Sequence, residues 1–172
     1  TLPSNTALCV GSKIDYVAVQ SYNAYTGEPI TVVLAKALLN THFNPKAAEI
    51  ALEDYKPGDK LVPFKVVAEY KGTDLVGMEY EQLIPWVNPG EGAFRVIPGD
   101  YVTTEDGTGI VHIAPAFGED DAKVGRKYDL PFVQLVDSKG EMTKETPYAG
   151  LFVKKADPEV LKDLEAEGKL FA

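Results

Sequence analysis

The chain has 172 residues, of which 45% are hydrophobic and 25% charged, and its net charge is −9. That length suits one domain with a core of its own, and the chain reads as a single domain over 1–172. The acidic balance excludes a free-standing nucleic-acid binder, which needs a basic surface, but allows contact with one end of an RNA held by something else.

No apolar run reaches the roughly 18 residues of a membrane span, and no signal-peptide pattern opens the chain. The single Cys9 has no partner for an internal disulfide, which fits a reducing compartment and a cytoplasmic location. With one Cys and two His, no metal site is expected. The abrupt start "TLPSNTALCV", without Met, and the abrupt end "EGKLFA" read as a piece cut from a longer polypeptide.

In chain order, residues 6–10 (TALCV) and 14–20 (IDYVAVQ) are short β-branched or alternating runs parted by Gly11-Ser12, and both predict strands. "NAYTGEP" is a turn punctuated by Gly27 and Pro29. "ITVVLAKALLN" begins as a strand and passes to helix formers from Ala35. Pro45 opens a predicted helix through "KAAEIALEDY" that closes at Pro57-Gly58. From Lys60 to Ala116 the pattern is mostly β, with "LVPFKVVAEY", "DLVGMEYEQLI", "AFRVIPGDYVTT" and "GTGIVHIA" divided by Gly, Pro and Asp turns. A helix then runs over "EDDAKVGRKYDL", acidic in its first turn and basic further along, as the helix dipole favours. The strand "PFVQLVD" and a hairpin-like "SKGE" lead to a last helix, "DPEVLKDLEAEG", with Asp157 as N-cap and Pro158 in its first turn. Many short strands with few helices predict a mainly β fold, a closed or nearly closed β-barrel decorated by several α-helices.

The stretch "GTGIVHIAPAFGEDD", Gly107 to Asp121, concentrates the candidate chemistry. Its glycines lead into a strand rather than a helix, so they do not match a dinucleotide loop; a hairpin turn with positive φ explains them. No G-x-S-x-G elbow is present, Cys9 sits in an apolar strand, and the spacing of His112 to Asp120 and Asp121 matches no familiar metal pattern. His42, in "NTHFNP", reads as a solvated loop histidine. Thr104 and Thr108 read as turn residues.

His112 interrupts an apolar strand, with Ile110 and Ala114 on its face and Val111 and Ile113 on the other. It is either a satisfied core group or the lining of a pocket. Asp121, in the first helical turn beyond Phe117, favours the pocket: a carboxylate there can hold an ammonium group while His112 and Phe117 limit what fits beside it. Lys123, Arg126 and Lys127 follow on the same helix and form either a solvated face or a contact with RNA phosphate.

Three segments, "TLPSNTALCV", "DLVGMEYEQLIPW" and "EDGTGIVHIAPAFGEDD", together resemble the inserted editing (CP1) domain of isoleucyl-tRNA synthetases, across essentially the whole chain. The valyl and leucyl relatives share the GTG turn and the later Asp but typically carry "PAH" where this chain has "PAF". The resemblance implies a mixed β-barrel that hydrolyses the ester joining valine to the 3′ end of tRNA(Ile). It implies catalytic roles for Asp121, Thr1 and Asn5, and a substrate pocket formed by His112, Ala114, Phe117 and Asp121. Asp121 would bind the α-ammonium of valine and His112 would refuse isoleucine. Thr1 and Asn5 match the end of a segment that usually reads T-T-T-P-W-T-L-P-x-N, whose earlier residues do not stand in this sequence. The domain itself is expected to need no cofactor. ATP and Mg would serve elsewhere in the parent chain, since nothing like H-I-G-H or K-M-S-K-S occurs here. The alternatives are a valyl- or leucyl-type editing domain, or a non-catalytic β-barrel that binds a partner.

Overall fold

The computed structural model describes residues 2–23, 26–87, 89, 92–105, 107–167 and 169. Its strands form two separate sheets of three strands each. In the first, β1 (Ala7–Val10) lies between β5 (Arg95–Pro98), parallel to it, and β6 (Ile110–Ile113), antiparallel. In the second, β2 (Asp15–Tyr22) lies between β3 (Pro29–Ala35) and β4 (Lys65–Lys71), both antiparallel to it. The apolar run "YVAV" explains the central place of β2: Tyr16, Val17, Ala18 and Val19 are all buried, as a strand covered on both faces requires.

The expected closed barrel is not what forms. Neither sheet closes on itself, and helical turns occupy more residues than strands do. The strands of the first sheet are only four residues long, ended by Gly11 after β1 and by Pro98-Gly99 at β5. Such short strands, paired over only four residues each, cannot supply the continuous ladder that closure demands. The two sheets meet instead through side chains: Val10, Tyr16, Ala35, Leu38 and Leu75 form one buried cluster, joined by Val96 and Ile110. The Tyr16 hydroxyl accepts from Gly11 N–H at 2.9 Å and donates to the Gly109 carbonyl, tying the turn after β1 to the approach of β6.

Other elements differ from expectation in instructive ways. The helix predicted from Pro45 is two separate 3-10 turns, Pro45–Ala47 and Leu52–Asp54. α1 (Leu39–His42) and α2 (Gly72–Leu75) are single turns. α2 and the coil after it replace the strand expected at "DLVGMEYEQLI". "PFVQLVD" contributes only a bridge, Val136 to Met142, while "SKGE" does make the hairpin-like turn, with Asp137 N–H donating to Glu141 O at 2.8 Å. α3 (Glu119–Lys127) stands where expected, and packs Val124 and Tyr128 against the buried side chains of Ala7, Cys9, Ile97 and Ile113. α4 (Val153–Ala166) starts one turn before Asp157, so Pro158 lies inside it. The earlier start is anchored by Val153 N–H donating to Gly140 O at 2.8 Å and Ala156 N–H to Phe152 O at 3.0 Å.

Candidate functional site

The site begins with strand register. Cross-strand pairing sets His112 opposite Leu8, and Leu8 in turn opposite Val96, so these three side chains share one face of the first sheet. At the Val10–Ile110 end that face is covered by the second sheet; at the Leu8–His112 end both residues are only half-buried. His112 therefore occupies the open end of an otherwise covered face, and Val111 and Ile113 pack on the opposite one, as alternation requires.

Asn5 sits beside it. The 3-10 turn Leu2–Ser4 delivers Asn5 to the mouth of β1, with Asn5 N–H donating to Leu2 O at 3.0 Å. The Asn5 amide nitrogen lies 2.9 Å from the Ala7 carbonyl and 2.9 Å from His112 Nδ1. Its oxygen accepts a hydrogen bond from the Tyr80 hydroxyl. Tyr80 is held by its own N–H donating to Phe94 O at 2.9 Å and by an edge-on ring contact with Phe94 at 5.8 Å. Burial pushes the Tyr80 hydroxyl well above its ordinary pKa, so it remains a donor. Burial also lowers the His112 pKa below its ordinary value, with Asp121 pulling the other way.

Asp121 occupies the third position of α3, and one carboxylate oxygen accepts the Ala114 N–H at 3.1 Å. This contact ties the helix start to the end of β6, so that the acid and the histidine lie within electrostatic reach of each other. Ala114 itself is fully buried, so its methyl lines no open pocket, and its backbone N–H is taken by Asp121. Phe117 lines a cavity of about 320 Å³ between the Leu2–Ser4 turn and the Ala156, Val160 and Leu164 face of α4. Neither His112 nor Asp121 lines that cavity, so the structure separates Phe117's surroundings from the polar pair. Thr1 lies outside the described residues.

The basic residues of α3 project elsewhere. At 100° per residue, Lys123, Arg126 and Lys127 fall on the side of the helix away from Asp121, and all three are exposed. Lys123 pairs with Glu119 at 3.5 Å, and Lys127 lies over the Tyr128 ring, 5.4 Å from its centroid. His42 is exposed, as expected, but its Nε2 meets the Gly107 carbonyl. Gly107 and Gly109 adopt φ of 65° and 76°, the positive-φ turn their sequence implied. Among the described residues no three His, Cys, Asp or Glu side chains are grouped to hold a metal ion, and no helix is long and apolar enough to cross a membrane.

Comparison with known proteins bears on what this arrangement is for. No family model matches the chain. It is 80% identical over 152 residues to an isoleucine–tRNA ligase of Bacteroides fragilis, covering 88% of this chain and 13% of that protein. It is 60% identical over 158 residues to the one from Porphyromonas gingivalis, covering 91% of this chain and 14% of the relative. The corresponding ligase of Clostridium acetobutylicum is 47% identical over 172 residues, covering 99% and 14%. The chain belongs to the isoleucine–tRNA ligase family. It spans 13% of the length of the first of these relatives.

The fold of this ligase segment is that of an editing domain. It matches the crystal structure of a leucyl-tRNA synthetase CP1 domain with a TM-score of 0.67 at 14% identity, over 99% of this chain and 80% of the other. The editing domain of the P. knowlesi cytosolic leucyl-tRNA synthetase matches at 0.66 and 14%, over 98% and 78%. Of the residues around His112, sequence reasoning missed Tyr80. It was visible only as part of the "GMEYEQL" segment, and no local pattern signals a partner at a separation of 75 residues.

Proposed function

We propose that this segment hydrolyses valine from misacylated tRNA(Ile), acting as the second sieve of an isoleucyl-tRNA synthetase. The observation that carries the reading is the pairing at one strand end: His112 on the open face of β6, and Asp121 fixed to the Ala114 N–H just beyond it. Family membership supports it. A pocket built for isoleucine gains only about 1–3 kcal/mol from one methylene when it rejects valine, a limit for which isoleucyl enzymes are the standard illustration. A smaller second pocket reverses the problem, because isoleucine then clashes while valine enters.

In this reading Asp121 takes the α-ammonium of the esterified valine and so sets the ester carbon in place. The His112 wall refuses the larger side chain. Among the described residues no side chain at the site is an activated nucleophile, and water attacks the ester carbonyl directly. The carbon–oxygen bond to the ribose breaks, the ribose oxygen takes the proton, and valine leaves as the free acid. Orientation of that water supplies much of the rate, with Asn5, Thr1 and backbone N–H groups as its candidate partners. The reaction takes no cofactor from this domain; ATP and Mg act elsewhere in the parent enzyme. The partners are the 3′ end of tRNA(Ile) and the remainder of the synthetase chain.

The test is Asp121→Ala in the parent synthetase. Loss of one partner of a partly desolvated charge pair costs about 2–5 kcal/mol, so Val-tRNA deacylation falls by at least tenfold while aminoacylation persists. An unchanged deacylation rate would remove Asp121 from the site.

A further inference from the structure

We infer that Tyr80 is a positioning residue for this site, acting through Asn5 to hold the His112 ring with its proton on Nε2. The inference rests on the proposed function for its meaning, but its geometry stands apart from it. One group in the network has a role with no alternative. A backbone carbonyl can only accept a hydrogen bond, so the Asn5 side-chain atom 2.9 Å from the Ala7 carbonyl must be the amide nitrogen. The other rotamer of the amide would set two oxygens against each other.

Two consequences follow in opposite directions. The second proton of that nitrogen points along the 2.9 Å contact to His112 Nδ1, which must therefore present its lone pair. A neutral imidazole has one N–H, so the proton resides on Nε2. On the other side, the Asn5 oxygen is left to accept, and the Tyr80 hydroxyl donates to it. The chain is directional: hydroxyl to amide oxygen, amide nitrogen to ring nitrogen. Protonating Nδ1 would turn it into a donor facing a donor, so the same arrangement disfavours the imidazolium.

The effect on the site is twofold. A neutral ring leaves Asp121 without a competing cation beside the substrate's ammonium. A ring pinned at Nδ1 is also a rigid wall, and a sieve that separates side chains by one methylene must not give way. Tyr80 is itself braced, by Phe94, whose backbone adopts φ of 60° and whose N–H donates to Thr6 O at 2.7 Å. A non-glycine residue keeps such a φ only where its surroundings enforce it. The support for the His112 ring thus draws on the first strand, the coil after α2 and the lead into β5.

The experiment reads the tautomer directly. The ¹⁵N-labelled 172-residue chain contains two histidines, and long-range ¹H–¹⁵N spectra near pH 8 distinguish Nδ1–H from Nε2–H for each. His112 is expected as the Nε2–H form. Tyr80→Phe, which keeps the ring against Phe94 and removes only the hydroxyl, leaves the Ala7 carbonyl to hold the amide alone and is expected to add a minor Nδ1–H population beside the major Nε2–H form. Asn5→Asp, which puts an acceptor opposite Nδ1, is expected to convert His112 to Nδ1–H. A wild-type His112 carrying its proton on Nδ1 overturns the inference, as does a Tyr80→Phe spectrum whose tautomer populations equal those of wild type. In the parent enzyme Tyr80→Phe is expected to raise the ratio of Ile-tRNA to Val-tRNA deacylation severalfold. An unchanged ratio alongside a shifted tautomer counts against His112 as the sieve wall and leaves the hydrogen-bond relay standing.

Discussion

Deleting the His112 imidazole removes far more volume than the single methylene that separates isoleucine from valine. His112→Ala in the parent synthetase is therefore expected to admit isoleucine and to raise the Ile-tRNA to Val-tRNA deacylation ratio, with valine still held by Asp121. If the ratio holds at its parent value, or both rates vanish together, the wall lies elsewhere. The protonation of His112 gives a second expectation. Burial lowers its folded-state pKa, so NMR titration should place it below the unfolded value of about 6.5. Because the folded state binds the proton less well than the unfolded one, His112 subtracts stability as pH falls through that window and contributes nothing above it. A measured pKa at or above about 6.5 would contradict the burial argument. His112 and Asp121 were legible in the sequence because a histidine in an apolar strand and an acid in a helix's first turn are local signals. Asn5 was legible only through resemblance, and Tyr80 not at all, since its partner is set by tertiary packing.

At the scale of elements, the differences between expectation and structure have physical causes. The run after Pro45 has helix formers, but Asn44 caps only a 3-10 turn, accepting from Lys46 N–H at 3.0 Å; without a long buried stripe the propensity of so few residues does not hold a helix together. Pro158 has the local signal of a first-turn proline, yet α4 begins before it, with Ala156, Val160 and Leu164 buried along one face. Tertiary burial outweighed the local start signal. Glycine shows the same dependence on neighbours. A Cβ on Gly72, at the start of α2, would stand 1.9 Å from the Gly11 carbonyl oxygen, so the turn joining β1 to β2 must move to admit it. Gly72→Ala is expected to cost about 1–3 kcal/mol or more, read as a lower urea midpoint with the slope unchanged. A midpoint equal to wild type would mean that the two segments do not approach as closely as described.

For the whole molecule, alternation identified the strands and their inward faces but not how many sheets they would build, since closure depends on strand length and register between distant segments. What resulted is two sheets sharing a side-chain seam, with Cys9 buried where the first sheet packs against α3. Burial also raises the Cys9 pKa, and a thiol that is both covered and protonated reacts slowly. Labelling of Cys9 by a disulfide reagent is thus expected to be negligible in buffer and to rise with urea in step with global unfolding. Fast labelling of the native chain would show that the α3 side of the sheet opens on its own. The net charge of −9 agrees with the proposed contact, in which the domain meets only one end of an RNA. Accordingly, replacing Lys123, Arg126 and Lys127 by Ser should change deacylation little at any salt concentration, because they face away from Asp121; a loss confined to low salt would instead assign them to phosphate contact. The central claim is specificity in hydrolysis, and its most direct test is the side-by-side deacylation of Val-tRNA(Ile), Thr-tRNA and Ile-tRNA(Ile) by the parent synthetase. Rapid release of valine from tRNA(Ile) and retention of isoleucine are expected. Equal rates on valine and isoleucine, or hydrolysis of Thr-tRNA in preference to Val-tRNA(Ile), would contradict it.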